Sequence, residues 1–394
     1  LRALENIRVL DFGQFVAGPL CGLLLAQLGA EVIRIERPGG GPDRDVQPLS
    51  ENEPGGAMYR HLNRGKRCLA IDVFHEASRP VLDALIARSD IVIANVPPQT
   101  LMQMGLRLES IHKINPRVIL ASTTAFGAGG SLADRPGFDG IGQAMSGAMH
   151  LTGKDAEPRK AFVHYVDYLT ATLSAYGVLA ALRIRESSGQ GQEVSTSLLG
   201  SALFTMANNL MEEAALHVNR AGTGNRAQLA APADVFAARD GHVLLQTVGG
   251  SMFKRCALLL QRPDWLADDE LASDAARGRR GAELSGVVGS WCATRTVAQC
   301  LEEFAAAGLP AAPVLSPRQA LQHPAISSGG FWNDDSGLPL FKIPLGLSEQ
   351  GAIELRPAAA IGVDTAAILS ELGVSNEKIA ALKAAGAIRF ATNE

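Results

Sequence analysis

"IRVLDFGQFVAGPLCGLLLAQLGAEVIRIE" (residues 7–36) opens the chain's architecture. "IRVLDF" (7–12) and "EVIRIE" (31–36) are short β-branched runs. The stretch between them has helical character, with Pro19 suited to a first helical turn and Gly29 to a C-terminal cap. Strand, helix and strand in succession predict a βαβ unit. The pattern recurs through "CLAIDV" (68–73), "DIVIAN" (90–95) and "RVILAS" (117–122), separated by amphipathic helical stretches. Strands this apolar on both faces predict a parallel, doubly wound α/β sheet.

With 394 residues the chain exceeds the size at which one core stops growing, so two domains are expected. A large α/β domain is assigned to 1–200 and 330–394. A linker is assigned to 201–226, and a smaller α+β domain with its return linker to 227–329. Inside the latter, "VFAARDGHVLLQTV" (235–248) predicts a hairpin turning at Asp240-Gly241, followed by helices near 290–307 and 316–322. Near the C-terminus, Asp364 and Ser375 are expected to cap two helices separated by Gly373.

Hydrophobic residues make up 47% and charged residues 19%, the composition of a soluble globular protein. The net charge of -4 offers nothing to nucleic acid in general. No apolar run approaches the roughly 18 residues that span a bilayer. The five cysteines are scattered and lack CxxC spacing, and the eight histidines contain no HxxxH pair. Neither a disulfide framework nor a metal site is expected, and a reducing cytoplasm fits. "DFGQFVAG" (11–18) lacks the GxGxxG spacing that brings a backbone against a pyrophosphate, which disfavours a nicotinamide enzyme. No GxSxG nucleophile elbow occurs.

Two stretches draw chemical interest. The loop "IERPGGGPDRD" (35–45) and the basic "HLNRGKR" (61–67) read either as phosphate-meeting strand ends or as solvated loops. In "AFVHYVDYLTATLSAYGVLAALRIRESSGQGQEV" (161–194), Leu169, Leu173, Tyr176 and Ala180 keep helical spacing in a run that predicts a helix buried on most sides, ending near Glu186. Asp167 stands at its first turn. It is either a cap that complements the helix dipole or a working carboxylate.

Several blocks together resemble the class III coenzyme A transferases of CaiB/BaiF type, the family of formyl-CoA transferase and succinate:hydroxymethylglutarate CoA-transferase, which also includes α-methylacyl-CoA racemase. They are "VLDFGQFVAGP", "LAQLGAEVIRIERPGGG", "LNRGKRCLAIDV", "SDIVIANVPP" with "MGL", "INPRVILASTTAFG", "DRPGFDGIGQAMSGAMHLTG", the stretch 166–194 and the closing "ELGVSNEKIAALKAAGAI". They stand in the family's order and span almost the whole chain.

The resemblance implies a Rossmann-like large domain with a smaller α+β domain in an interlocked homodimer. It implies an enzyme that moves coenzyme A from an acyl-CoA to a free acid, with no cofactor held permanently and no nucleic-acid or membrane partner. Asp167 is implied as the nucleophile, passing through an aspartyl anhydride and an aspartyl-CoA thioester, kept ionised by the helix start. Asp139 is implied as its acidic neighbour. The implied coenzyme A contacts are Gln14, Val16, Ala17, Arg37, Gly40, Lys66, Arg67, Asn95, Val96, Gln103 and Met104. Neighbourhood in sequence, and not the resemblance, suggests Phe138, Gln143 and His164, with His150 and Tyr165, as the residues that face the acyl group.

The chain departs from the family pattern at Gln103, where an arginine is usual, at "GAGGS" (127–131), and at "IGVDT" (361–365), where Val363 replaces a glutamate. Racemases carry a histidine at the position of Phe138, so racemisation loses a base here. The acceptor suggested by commoner members is a short dicarboxylate. The alternatives are an α-methylacyl-CoA isomerase and a coenzyme A-binding protein without turnover.

Overall fold

The computed structural model describes residues 2–49, 55–335, 337–351 and 353–391. They fall into two compact units, one of 1–148, 161–215 and 331–394, the other of 149–160 and 216–330.

The first unit is built on a seven-stranded sheet. Its strands are β1 (Arg8–Asp11), β2 (Glu31–Glu36), β3 (Lys66–Ile71), β4 (Ile91–Ala94), β5 (Ile119–Thr124) and β6 (Glu193–Ser197), joined at one edge by β12 (Ile388–Arg389). The order is β12-β3-β2-β1-β4-β5-β6, with every pairing parallel except that of β12 with β3. The expected doubly wound sheet is thus present, with an antiparallel edge added.

The alternation of the strands explains why both faces are apolar. Leu10, Ile33, Leu69, Val92 and Leu120 join one core with the helix Arg79–Ala87. Val9, Val32, Ile91 and Ile119 join another, under the helix Ala17–Gln27 and the long helix Tyr165–Ser188. The chain reverses direction across the sheet between β1 and β4, which opens a crevice at their carboxyl ends.

The long helix is not buried on most sides. Ala171, Ala175, Val178 and Ala181 pack on the sheet, while Tyr168, Tyr176, Leu179 and Ile184 are exposed along the opposite face. Small residues on the inner face allow close approach, as at Gly177, where a β-carbon would lie 2.5 Å from Val194. Two segments differ from expectation. The region assigned to a linker carries the helices Leu198–Thr205 and Ala207–Leu216, and residues 149–160 group with the second unit.

In the second unit β7 (Ala233–Ala238), β8 (Gly241–Gln246) and β9 (Ala311–Pro313) form an antiparallel sheet. Ala238 pairs with Gly241, so the hairpin turns on Arg239 and Asp240, one residue earlier than the Asp-Gly signal suggested. The helix expected over 290–307 is two, Gly281–Ala293 and Val297–Ala306, because Thr296 and Gln299 form a capping box between them. A short hairpin, β10 (Trp332–Asp335) with β11 (Leu338–Phe341), belongs to the first unit. No helix among the described residues is long and apolar enough to cross a membrane.

Candidate active site

The crevice between β1 and β4 holds a cavity of about 250 Å3. Its walls come from Gln14–Ala17 after β1, Asn95–Pro97 after β4 and Thr123–Ala125 at the end of β5, and Ala133, Arg135–Phe138, Asp167 and Leu198 complete them. Of the residues singled out in the sequence, Gln14, Val16, Ala17, Asn95, Val96, Phe138 and Asp167 therefore meet in one place.

The loop after β1 is held from both sides. Asn95 accepts a hydrogen bond from Gln14 N at 2.7 Å and donates one to Gln14 O at 2.8 Å. The Asp11 carboxylate accepts from Gly13 N, and Arg34 donates to Gly13 O at 2.7 Å. Gly13 and Gly18 touch so closely that a β-carbon on Gly18 would lie 2.7 Å from Gly13 Cα and 2.8 Å from Asn95 Oδ1. Phe15 is held at φ +59° and meets the exposed Phe138 ring edge to face, with 5.3 Å between centroids.

Asp167 is 9% exposed and occupies the third position of the long helix. The cap reading does not hold for it. The N-cap position is His164, whose side chain makes no capping bond. The capping oxygen comes from Asp139 on the neighbouring helix Asp139–Met145, whose Oδ2 accepts from Val166 N at 2.8 Å and Asp167 N at 3.2 Å. The expectation that the helix start would keep Asp167 ionised meets an opposing pressure. Burial, with the Asp139 charge beside it, pushes its carboxyl up from 3.8 to about 7.

Other expected contacts lie elsewhere. Lys66 is 1% exposed and its ammonium is taken up by Asp11, Pro19 O and Asn63, so it is unavailable to a phosphate. Arg67 is bound by Glu31 and Glu371. Arg37 donates to Gly40 O, and Gly40 is packed against Ile361. Met104 is a core residue, and Gln103 is exposed at the end of the helix Pro98–Gln103. Arg79 brings a guanidinium to the Met104 carbonyl beside it, which no local signal in the sequence indicated.

Gln143 does not face the cavity. It is 1% exposed, donates to Asp139 and accepts from Ala161 N at 2.9 Å. His164 lines a second cavity of about 400 Å3, together with Tyr168, Met58, His61 and Phe341, which shares Val16 with the first. Burial, with Arg64 beside it, pushes His61 down to about 4, so its imidazole is neutral at ordinary pH. Sequence reasoning missed Arg135, an exposed cation on the wall of the Asp167 cavity.

Among the described residues no cluster of three or more side chains suits a metal ion. The arrangement offers one poorly solvated, nearly buried carboxylate facing a narrow cavity whose other walls are mostly apolar. Such a group acts as a nucleophile toward an acyl carbon when it is ionised.

The sequence model of CoA-transferase family III matches residues 4–365. The chain is 32% identical to a succinyl-CoA–D-citramalate CoA-transferase of Chloroflexus aurantiacus, over 82% of this chain and 81% of that protein. It is 30% identical to a succinate–glutarate CoA-transferase of Agrobacterium fabrum, over 94% and 95%. The crystal structure of a CaiB/BaiF family protein from Brucella suis superposes with a TM-score of 0.83 at 30% identity, covering 94% of this chain and 99% of that one. Matched over nearly its whole length in sequence and in fold, the chain belongs to CoA-transferase family III and is an enzyme that transfers coenzyme A to a carboxylic acid.

Proposed function

We propose that the enzyme exchanges coenzyme A between an acyl-CoA donor and a short dicarboxylic acid, with Asp167 as the covalent carrier. The observation that carries the reading is the Asp167 carboxyl, almost buried at the wall of the crevice and relieved of capping duty by Asp139. Its carboxylate attacks the thioester carbon of the donor and expels coenzyme A thiolate, leaving a mixed anhydride. The thiolate attacks the Asp167 carbonyl of that anhydride, releases the donor acid and forms an aspartyl-CoA thioester. The acceptor carboxylate attacks this thioester and again expels the thiolate, which then takes the acceptor's own acyl carbon and returns Asp167 as carboxylate. Each step forms one acyl bond and breaks another, and no proton is consumed.

The dicarboxylate preference is supported by the acids in the relatives' names, citramalate and glutarate, and by Arg135 on the cavity wall. The loop residues Gln14, Val16, Ala17, Asn95 and Val96 line the remaining wall and are assigned to the thiol end of coenzyme A. A homodimer is supported by the exposed apolar face of the long helix. Cytoplasmic residence fits five cysteines that are all unpaired and buried. The isomerase reading lacks its base, since Phe138 carries no proton to exchange.

The test incubates the enzyme with panels of acyl-CoA donors and free acids and reads exchange by mass spectrometry, with Asp167→Ala alongside. A coenzyme A mass on the Asp167 peptide and loss of exchange in the variant are expected. Exchange that persists unchanged in the variant refutes the carrier.

A further inference from the structure

We infer that Asp139 is the positioning residue of the nucleophile: it caps the long helix from a neighbouring helix, which fixes Asp167 while leaving its carboxylate unclaimed, and it holds a second negative charge beside it. The inference rests on Asp167 as carrier and goes beyond it, because Asp139 then serves neither as proton donor nor as substrate ligand.

The first turn of a helix leaves backbone N–H groups without partners, and a side-chain oxygen normally comes from the residue just before it. Here that residue is His164, which makes no capping bond. An acidic residue at the third position of such a helix tends to fold back onto the helix start. Asp167 has no such task, because Oδ2 of Asp139 takes both Val166 N and Asp167 N. The other oxygen of Asp139 accepts from Gln143, and Gln143 in turn accepts from Ala161 N. The helix Asp139–Met145 thus grips the 161–167 segment through two fully buried side chains.

Its helix seats closely enough to aim that grip. A β-carbon on Gly142 would lie 2.9 Å from Val166 and 3.2 Å from Leu198 O.

The charged and titratable groups around Asp167 among the described residues are few. Asp139 comes from the adjoining helix, Arg135 from the loop before it, and His164, Tyr165 and Tyr168 from the N-terminal end of the long helix itself. The helices Ala17–Gln27 and Leu198–Thr205 bring only Ala17 and Leu198 to the cavity. Asp139 is 1% exposed, whereas Arg135 is solvated, so the negative neighbour acts with less screening than the positive one. A carboxylate made harder to ionise is a stronger nucleophile once ionised, and that suits attack on a thioester.

The experiment measures the pH profile of kcat/KM for CoA transfer in the wild type, Asp139→Asn, Asp139→Ser and Gln143→Leu. Both neutral Asp139 variants keep an acceptor for the helix start. Their acid limb is expected to move down by about one pH unit, with kcat reduced about tenfold as placement loosens. Gln143→Leu retains the Asp139 charge, so its kcat falls while its limb stays in place. An unmoved limb in the neutral variants overturns the inference. So does failure of both to fold, which would make Asp139 a residue of the fold alone. Mass analysis of the Asp167 peptide in the wild type separates the two readings. No coenzyme A adduct there sinks the carrier itself, and an adduct together with an unmoved limb sinks only the role of Asp139.

Discussion

Replacing Asp167 with Asn should abolish transfer and stabilise the protein at neutral and alkaline pH. The carboxyl titrates near 7 in the folded chain instead of near 3.8, because it is buried and lies beside Asp139. Between these two values the folded state retains a proton that the unfolded state has released. The contribution of Asp167 to stability is therefore greatest below about pH 4, falls as the pH rises to 7 and is level above it. At 1.36 kcal/mol per unit, about three units correspond to an upper limit of about 4 kcal/mol. The cavity admits solvent and the surroundings relax, so about half that, roughly 2 kcal/mol, is expected to be measured.

Asn has nearly the same shape and nothing to ionise. The difference in stability between variant and wild type should grow by about 2 kcal/mol from pH 4 to pH 8, which for a chain of 394 residues is a rise of about 2–3 °C in the Tm difference. Thermal unfolding of both proteins across that pH range measures it directly. Parallel curves for the two proteins would refute the claim that Asp167 is held in an environment hostile to its charge.

Two other substitutions test the support of the site. Lys66→Met removes the partner of buried Asp11 and should cost about 3–5 kcal/mol of stability in chemical unfolding, with an unchanged KM for acyl-CoA in the folded fraction, since Lys66 is sealed inside the fold. A raised KM at unchanged stability would restore it as a coenzyme A ligand. Gly18→Ala forces a methyl group against Gly13 Cα and the Asn95 carboxamide, and should lower kcat/KM by about tenfold or more through displacement of the Gln14 loop, read in steady-state kinetics. Wild-type kinetics in that variant would show that the loop is not held as described.

Much of the fold was legible because its signals are local. β1 to β5 are short apolar runs interrupted by Gly and Pro, and each lies within three residues of its expected limits. β6 and β12 were missed. β6 carries Glu193, Ser195, Thr196 and Ser197 with little apolar pattern, and β12 is a two-residue strand that exists only where β3 offers an open edge. The divided helix at 294–296 shows the same limit, since Thr296 and Gln299 form a capping signal that an apolar rhythm conceals.

The candidate site divides along the same line. Asp167, Gln14, Asn95 and Phe138 carry motifs, and folding places all four on one cavity. Lys66 and Arg67 carry equally good motifs but are consumed by Asp11, Glu31 and Glu371, residues 36 to 304 positions away or drawn from other strands. A sequence records that a cation is present, while burial and partners govern whether it is free.

Residue order thus established the βαβ architecture and an aspartate at the mouth of a long helix, because periodicity and turn chemistry act over a few residues. It left open whether that aspartate caps or reacts. Tertiary structure settled the capping question by bringing Asp139 from another helix to the N–H groups of Val166 and Asp167. Hydrogen-bond partnership and desolvation depend on distances between segments far apart in the chain, and these exist only once the chain has folded.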